Sequence, residues 1–281
     1  MKILQNIRLE EYTTFRMGGL CENLYFPEDE AQLAGLIEQF GSPPYLLGGG
    51  SNLLINDQKI FHHVICMKSM QQTILNMGAG RYKVSAAVPL QKLIRTIHAD
   101  GYGGIEYLFS VPGLVGGAVI MNAGRGKNYC KSISDYVESV TVIEQGKRKD
   151  LSKEDCCFSY RNSVFKGSEM VILSVVFCFE KGTKTDLDAA CRQRIELVKK
   201  VQDTSAPNFG SVFSRCDLDI MKRLCEEAAD SEALVEYSSK TINWMLNKGG
   251  GFGSAMECIL KAEQMHRKEG KECEREVIVW E

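Results

Sequence analysis

The chain has 281 residues, 44% hydrophobic and 25% charged, with a formal net charge of −2 at pH 7. That length carries one large domain or two to three small ones, and the composition is ordinary for a globular protein. The near balance of charge argues against a broad electrostatic commitment to nucleic acid or to an anionic membrane.

No apolar run approaches the roughly 18–20 residues that cross a bilayer. The opening MKILQNIRLEEYTTF lacks the apolar core of a signal peptide. A cytoplasmic location is expected, with no membrane and no nucleic acid as partner. Eleven cysteines, Cys130 among them, are scattered without a C-x-x-C pair. In a reducing compartment they read as small buried hydrophobes or neutral surface positions. His62 and His63 are adjacent, while His98 and His266 stand alone. No metal site is expected.

In chain order, AQLAGLIEQF (Ala31–Phe40) carries apolar residues at helical spacing, and PPYLL leads as a strand into three glycines. HHVICM and RYKVSAAV read as strands, and LQKLIRTIHADG as an amphipathic helix stopped by Gly101. YVESVTVIEQGKRKDL reads as two strands about a Gln-Gly turn, and MVILSVVFCFE (Met170–Glu180) as one apolar strand. A boundary is expected near Glu180–Asp186. Beyond it come a charged amphipathic helix (Asp186–Gln202), APNFGSVFS, and a helix around LDIMKRLCEEAA. A KGGGFGSA loop (Lys248–Ala255), a helix ending at Gly270 and a closing strand EVIVW complete the chain.

Two glycine segments carry the functional signal. In LLGGGSNLLI, Gly48, Gly49 and Gly50 with Ser51 and Asn52 can turn consecutive N–H groups toward one point, a nest suited to a diphosphate. The pattern is neither a dinucleotide-fold fingerprint nor a P-loop, and a plain tight turn is the alternative. The second segment, VPGLVGGAVIMNAGRG (Val111–Gly126), offers Pro112, Gly113, Gly116, Gly117, Asn122, Ala123 and Gly124. Two such segments, each bounded by strand-like residues, fit a cofactor with a diphosphate in the middle and rings at both ends.

YTTFRMGG (Tyr12–Gly19), LGGGSNLLI, EYLFSVPGLVGGAVIMNAG, FSYRNS and GSVF, in that order, resemble the UDP-N-acetylenolpyruvylglucosamine reductases, the MurB family, in its compact type. The resemblance implies an α+β fold: a two-subdomain FAD-binding module of the vanillyl-alcohol-oxidase/PCMH kind plus a small α+β substrate-binding domain. The division expected is 1–57 together with the closing strand 271–281, then 58–184, then 185–270. The closing strand is expected to return to the first subdomain.

The resemblance also implies the chemistry. NADPH reduces FAD, and hydride then passes to an enolpyruvyl ether on a UDP-sugar, in peptidoglycan precursor synthesis. Hydride addition leaves negative charge beside the substrate carboxylate, which calls for fixed positive charge and a proton donor. Arg161 in FSYRNS matches the arginine that polarises the carboxylate. Ser211 in NFGSVF matches the serine that protonates C2, and Glu276 in EREVIVW the glutamate that assists on the carboxylate side. Arg215 falls where a basic residue often stands near the substrate, a plain surface arginine being the alternative. Asn243 and Asn247 are substrate-facing or structural, and Tyr160 is substrate-binding or merely packed. A monomer is expected.

The chain departs from the family pattern at DIMKRLC after GSVF, at Thr241 where histidine is common, at Ile278 where arginine is usual, and at SAAVP near the cofactor. A paralogue acting on another nucleotide-linked sugar of a surface glycan is one alternative. A flavin-binding protein without turnover is another, though a mere binder needs none of Arg161, Ser211 and Glu276.

Overall fold

The computed structural model describes residues 1–40, 45–125, 131–228 and 232–281. The two prolines of PPYLL, Gly126 and Cys130 lie outside them, as does the end of LDIMKRLCEEAA. The fold is α+β, and the chain divides into two compact units. One comprises residues 1–3, 24–49 and 63–198; the other comprises 4–23, 50–62 and 199–281.

The first unit is built on an antiparallel sheet whose order runs Lys147–Ser152, Val137–Glu144, Val171–Cys178, Arg81–Ser85, Ile74–Gly78. Val140, Val142, Val175, Tyr82 and Val84 supply its buried face, the period-2 result of alternating strands. The Gln-Gly turn is present: Gln145 at φ +50° and Gly146 at φ +73° join the two strands of a hairpin. The helix Leu90–Ala99 buries Leu90, Leu93, Ile94, Ile97 and His98, an i, i+3, i+4 stripe, and the chain leaves it through Gly101 at φ +79°. A second cluster packs Leu33, Leu36 and Ile37 of the helix Glu30–Phe40 on Ile65, Leu114 and Leu173. Tyr45–Leu47, the strand entering the first glycine segment, lies parallel to Val64–Cys66.

The second unit holds a three-stranded antiparallel sheet of Asn208–Ser211, Trp244–Asn247 and Val235–Tyr237. The helices Leu218–Ala228 and Phe252–Lys268 pack on the core formed by Phe209, Val212, Phe213, Met245 and Ile259. The closing strand Ile278–Trp280 lies parallel to Leu53–Ile55, directly after the glycines. The helix Lys184–Val201 begins in the first unit and ends in the second.

Two expectations change. Half of the KGGGFGSA loop is helix, because the helix Phe252–Lys268 starts after Gly251. Asp57 Oδ2 accepts the Phe252 N–H (3.3 Å), and Ala255 is fully buried, so distant residues complete a first turn that the glycines conceal. Within the second glycine segment, for which the sequence predicts no element, Val115–Ile120 is a short helix with Val115, Ala118 and Val119 buried. Glu276 does not open the closing strand; it lies between the short strands Glu274–Arg275 and Ile278–Trp280.

Candidate active site

The division between the two units falls within the first glycine segment, after Gly49, and each glycine meets different surroundings. Gly49 runs so close to the second segment that a Cβ there would stand 3.0 Å from Gly113 Cα. A Cβ on Gly48 would reach only Leu114, at 4.0 Å. Gly50, at φ +69°, has no room for a side chain because the Tyr12 carbonyl occupies it, and the Gly50 oxygen accepts the Thr14 N–H (2.9 Å).

In the first unit Pro112 and Gly113 lead into the short helix. Gly116 presses on Ala86, where an added Cβ would sit 3.0 Å from the Ala86 Cβ, whereas Gly117 is exposed and faces open space. Ala86 and Ala87, with Ser85, Leu173 and Arg148, line part of a pocket of about 220 Å³. No neighbour holds Gly48 or Gly117 to glycine, and an open glycine backbone lets a ligand approach closely. A backbone left open at Gly48 and Gly117 fits the close approach of FAD.

After the helix the chain turns through Asn122, at φ +40°, a conformation that asparagine tolerates. Asn122 is buried; its Nδ2 donates to the Ser159 carbonyl (2.8 Å) and its Oδ1 accepts the Ser134 N–H (3.3 Å). Ala123 accepts the Ile133 N–H (2.8 Å), and Gly124 pairs with Ser132. Arg161, at φ +54°, donates through Nη2 to the Gly124 carbonyl (2.9 Å), and its guanidinium lies 5.6 Å from the Tyr160 ring centroid. The second glycine segment and FSYRNS therefore meet through Asn122–Ser159 and Gly124–Arg161. Tyr107 adjoins them: its hydroxyl is buried with no hydrogen-bond partner among the described residues. Burial pushes the phenol far up, Tyr136 and Asp135 add to this, and Arg161 opposes it. Sequence reasoning singles out neither Tyr107 nor Ser159; their signal is membership of EYLFSVPG and FSYRNS.

In the second unit Ser211 ends a strand after Gly210 at φ +82° and pairs with Trp244. Its neighbour Val212 accepts the N–H groups of Glu276 (2.8 Å) and Val277 (3.2 Å), so the structure brings Ser211 and Glu276 together. Asn243, at φ +76°, is occupied with backbone: Nδ2 donates to the Phe213 carbonyl (2.8 Å) and Oδ1 accepts the Phe213 N–H (3.0 Å). Arg215 is exposed and ion-paired with Glu272 and Glu274, both at 3.4 Å. Asn52 donates through Nδ2 to the Glu276 carbonyl (3.0 Å).

Similarity to known proteins covers nearly the whole chain. Residues 22–149 match the FAD binding domain family. The UDP-N-acetylenolpyruvoylglucosamine reductase of Thermotoga petrophila is 30% identical over 97% of this chain and 97% of its own length. The enzyme of that name from Clostridium novyi is 30% identical over 88% of this chain and 81% of its own. The chain belongs to the UDP-N-acetylenolpyruvoylglucosamine reductase family. The crystal structure of the family member from Thermus caldophilus shares the fold, with a TM-score of 0.78 at 24% identity, covering 100% of this chain and 98% of that one.

The departures from the family pattern have local structural roles. Thr241 Oγ1 donates to the Val201 carbonyl (2.8 Å) and accepts the Asp203 N–H (2.7 Å), so it fastens the turn before Trp244. Ile278 stands opposite Leu53 in the parallel pair. Within DIMKRLC, Ile220, Met221, Leu224 and Cys225 form the buried face of a helix. Among the described residues no helix is long and apolar enough to cross a membrane. Among them, too, no group of three or more His, Cys, Asp or Glu could hold a metal ion.

Proposed function

We propose that this protein is an FAD-dependent reductase that uses NADPH to reduce the enolpyruvyl group of UDP-N-acetylglucosamine enolpyruvate, yielding UDP-N-acetylmuramate for peptidoglycan precursors. The near full-length match to the Thermotoga petrophila reductase carries the reading. The reading keeps the cytoplasmic, monomeric enzyme and the three-part division expected from the sequence.

When bound, FAD supplies hydride acceptance and donation. The chain's part is to hold and to polarise. Gly48, Gly49, Gly113 and Gly117 admit the diphosphate to the backbone. Arg161 binds the substrate carboxylate through a planar fork and stabilises the charge that spreads into it. One of its terminal nitrogens is fixed on Gly124, which orients the remaining donors. Ser211 delivers a proton to C2, and Glu276 assists at the carboxylate. Both depend on Val212, whose carbonyl fixes the Glu276 N–H while the preceding peptide carries Ser211.

The test is anaerobic. Purified protein is loaded with FAD, reduced with NADPH and mixed with UDP-N-acetylglucosamine enolpyruvate. Flavin reoxidation and a product heavier by two hydrogens are expected. Protein that takes up no FAD, or reduced flavin that this substrate leaves reduced, overturns the reading.

A further inference from the structure

Asn52 belongs to the glycine segment by sequence, yet its side chain serves another part of the chain. Nδ2 donates to the Glu276 carbonyl (3.0 Å), and the Asn52 carbonyl accepts the Ile278 N–H (3.1 Å). From the other side, the Val212 carbonyl accepts the Glu276 N–H at 2.8 Å. Both backbone polar groups of Glu276 are thus tied, although the residue lies outside either neighbouring strand. The parallel pair that follows is only three residues long. Asn243 completes the array: its carbonyl accepts the Val212 N–H (2.8 Å) and its side chain brackets Phe213.

We propose that Asn52 is a positioning residue for Glu276 and couples the state of the glycine segment to it. The inference rests on the function proposed above for Glu276. An amide suits the task because it donates to a carbonyl; a carboxylate of the same shape would turn an acceptor toward that carbonyl instead. A ligand that orders the backbone at Gly50 and Ser51 restrains Asn52, and Asn52 in turn restrains the peptide from which the Glu276 side chain projects. Misplacement by about 1 Å costs a reaction up to about 10²-fold, which sets the scale of loss when the tether is removed.

The experiment uses the full chain carrying Asn52→Asp, with Asn52→Ala as the second variant should the first fail to fold. Hydrogen exchange by mass spectrometry reads the segment 274–281. In the wild type its protection rises when FAD binds; in the variants it is low and FAD changes it little. In stopped-flow absorbance, reoxidation by substrate slows by about 10–100-fold, well beyond any slowing of flavin reduction by NADPH. Equal slowing of both half-reactions, unchanged reoxidation, or FAD-dependent protection that survives in the variants overturns the role of Asn52. Wild-type enzyme that substrate fails to reoxidise overturns the functional reading instead, and with it the role given to Glu276.

Discussion

Arg161 reaches the Gly124 carbonyl (2.9 Å) from a backbone in the left-handed region, at φ +54°. A non-glycine residue held there carries a cost of roughly 1–2 kcal/mol. Lysine carries the same backbone cost, so Arg161→Lys isolates the head group. One ammonium cannot both hold Gly124 and grip a carboxylate at two points. Arg161→Lys is expected to retain FAD and its reduction by NADPH while losing about 10²–10³-fold in turnover, as does removal of one fixed donor to developing charge. Steady-state kinetics beside a flavin absorbance spectrum checks this, and near wild-type turnover would remove Arg161 from the site.

The glycines give a second prediction, because the fold explains some and leaves others unexplained. Gly116 is required by Ala86 and Gly50 by Tyr12, so changes there disturb packing. Gly117 lies within a helix with nothing inside 4 Å of an added Cβ. Gly117→Ala should leave the fold intact or raise its stability by about 0.5–1 kcal/mol. Its FAD affinity should nevertheless fall, since the new methyl stands where the cofactor approaches. Gly49→Val should lose FAD outright, its side chain pressing on Gly113. Fluorescence titration with FAD, beside thermal melts of the apoproteins, separates the two effects; unchanged affinity in Gly117→Ala would refute a close approach at that residue.

Much of this architecture can be read from local pattern. The stripe Leu90, Leu93, Ile94, Ile97 announces its helix, and Gln145-Gly146 announces its hairpin, because neighbours in sequence supply the physical reason. The missed features have partners far away. Phe252 begins a helix because Asp57, 195 residues earlier, accepts its N–H. Val115–Ile120 contains two glycines and β-branched residues, poor helix formers on their own, and is helical because its buried side must face the core. The candidate residues stand out through their motifs. That Asn52 holds Glu276, 224 residues later, leaves no local trace. Asn243 shows the reverse: its segment suggests contact with substrate, yet its amide is spent on both polar groups of Phe213.

His266 is fully buried, and both of its nitrogens are engaged: Nδ1 donates to the Ala262 carbonyl (2.7 Å), and Nε2 accepts the Asp217 N–H (2.8 Å). His266→Phe keeps the volume but leaves that N–H without its acceptor, so about 1–3 kcal/mol of stability should be lost. Urea unfolding followed by tryptophan fluorescence measures it. Asp217 itself accepts the Ile220 and Asp219 N–H groups and faces Lys271, which hold its carboxyl below the usual range. A carboxyl depressed in the folded state stabilises it above the unfolded value of about 3.9 and ceases to as pH falls through the folded value. The acid limb of the stability curve should therefore flatten in Asp217→Asn.

Ser211 gives the last prediction, because its assigned step follows the departure of the nicotinamide. A hydroxyl is a weak acid in water and becomes useful only beside a strongly basic carbon, the situation once hydride has reached the enolpyruvyl group. Ser211 ends a strand and is followed by Val212, whose N–H and carbonyl are tied to Asn243 and Glu276. Loss of its oxygen should therefore leave the backbone in place. Ser211→Ala is expected to accept hydride from NADPH at close to the wild-type rate and to pass it to substrate about 10²–10⁴-fold more slowly, the usual contribution of a positioned acid. That corresponds to roughly 3–5 kcal/mol of barrier. Stopped-flow absorbance of the flavin reports both steps on one sample. Equal slowing of the two would assign Ser211 to the support of FAD, and no slowing would assign the proton to another residue.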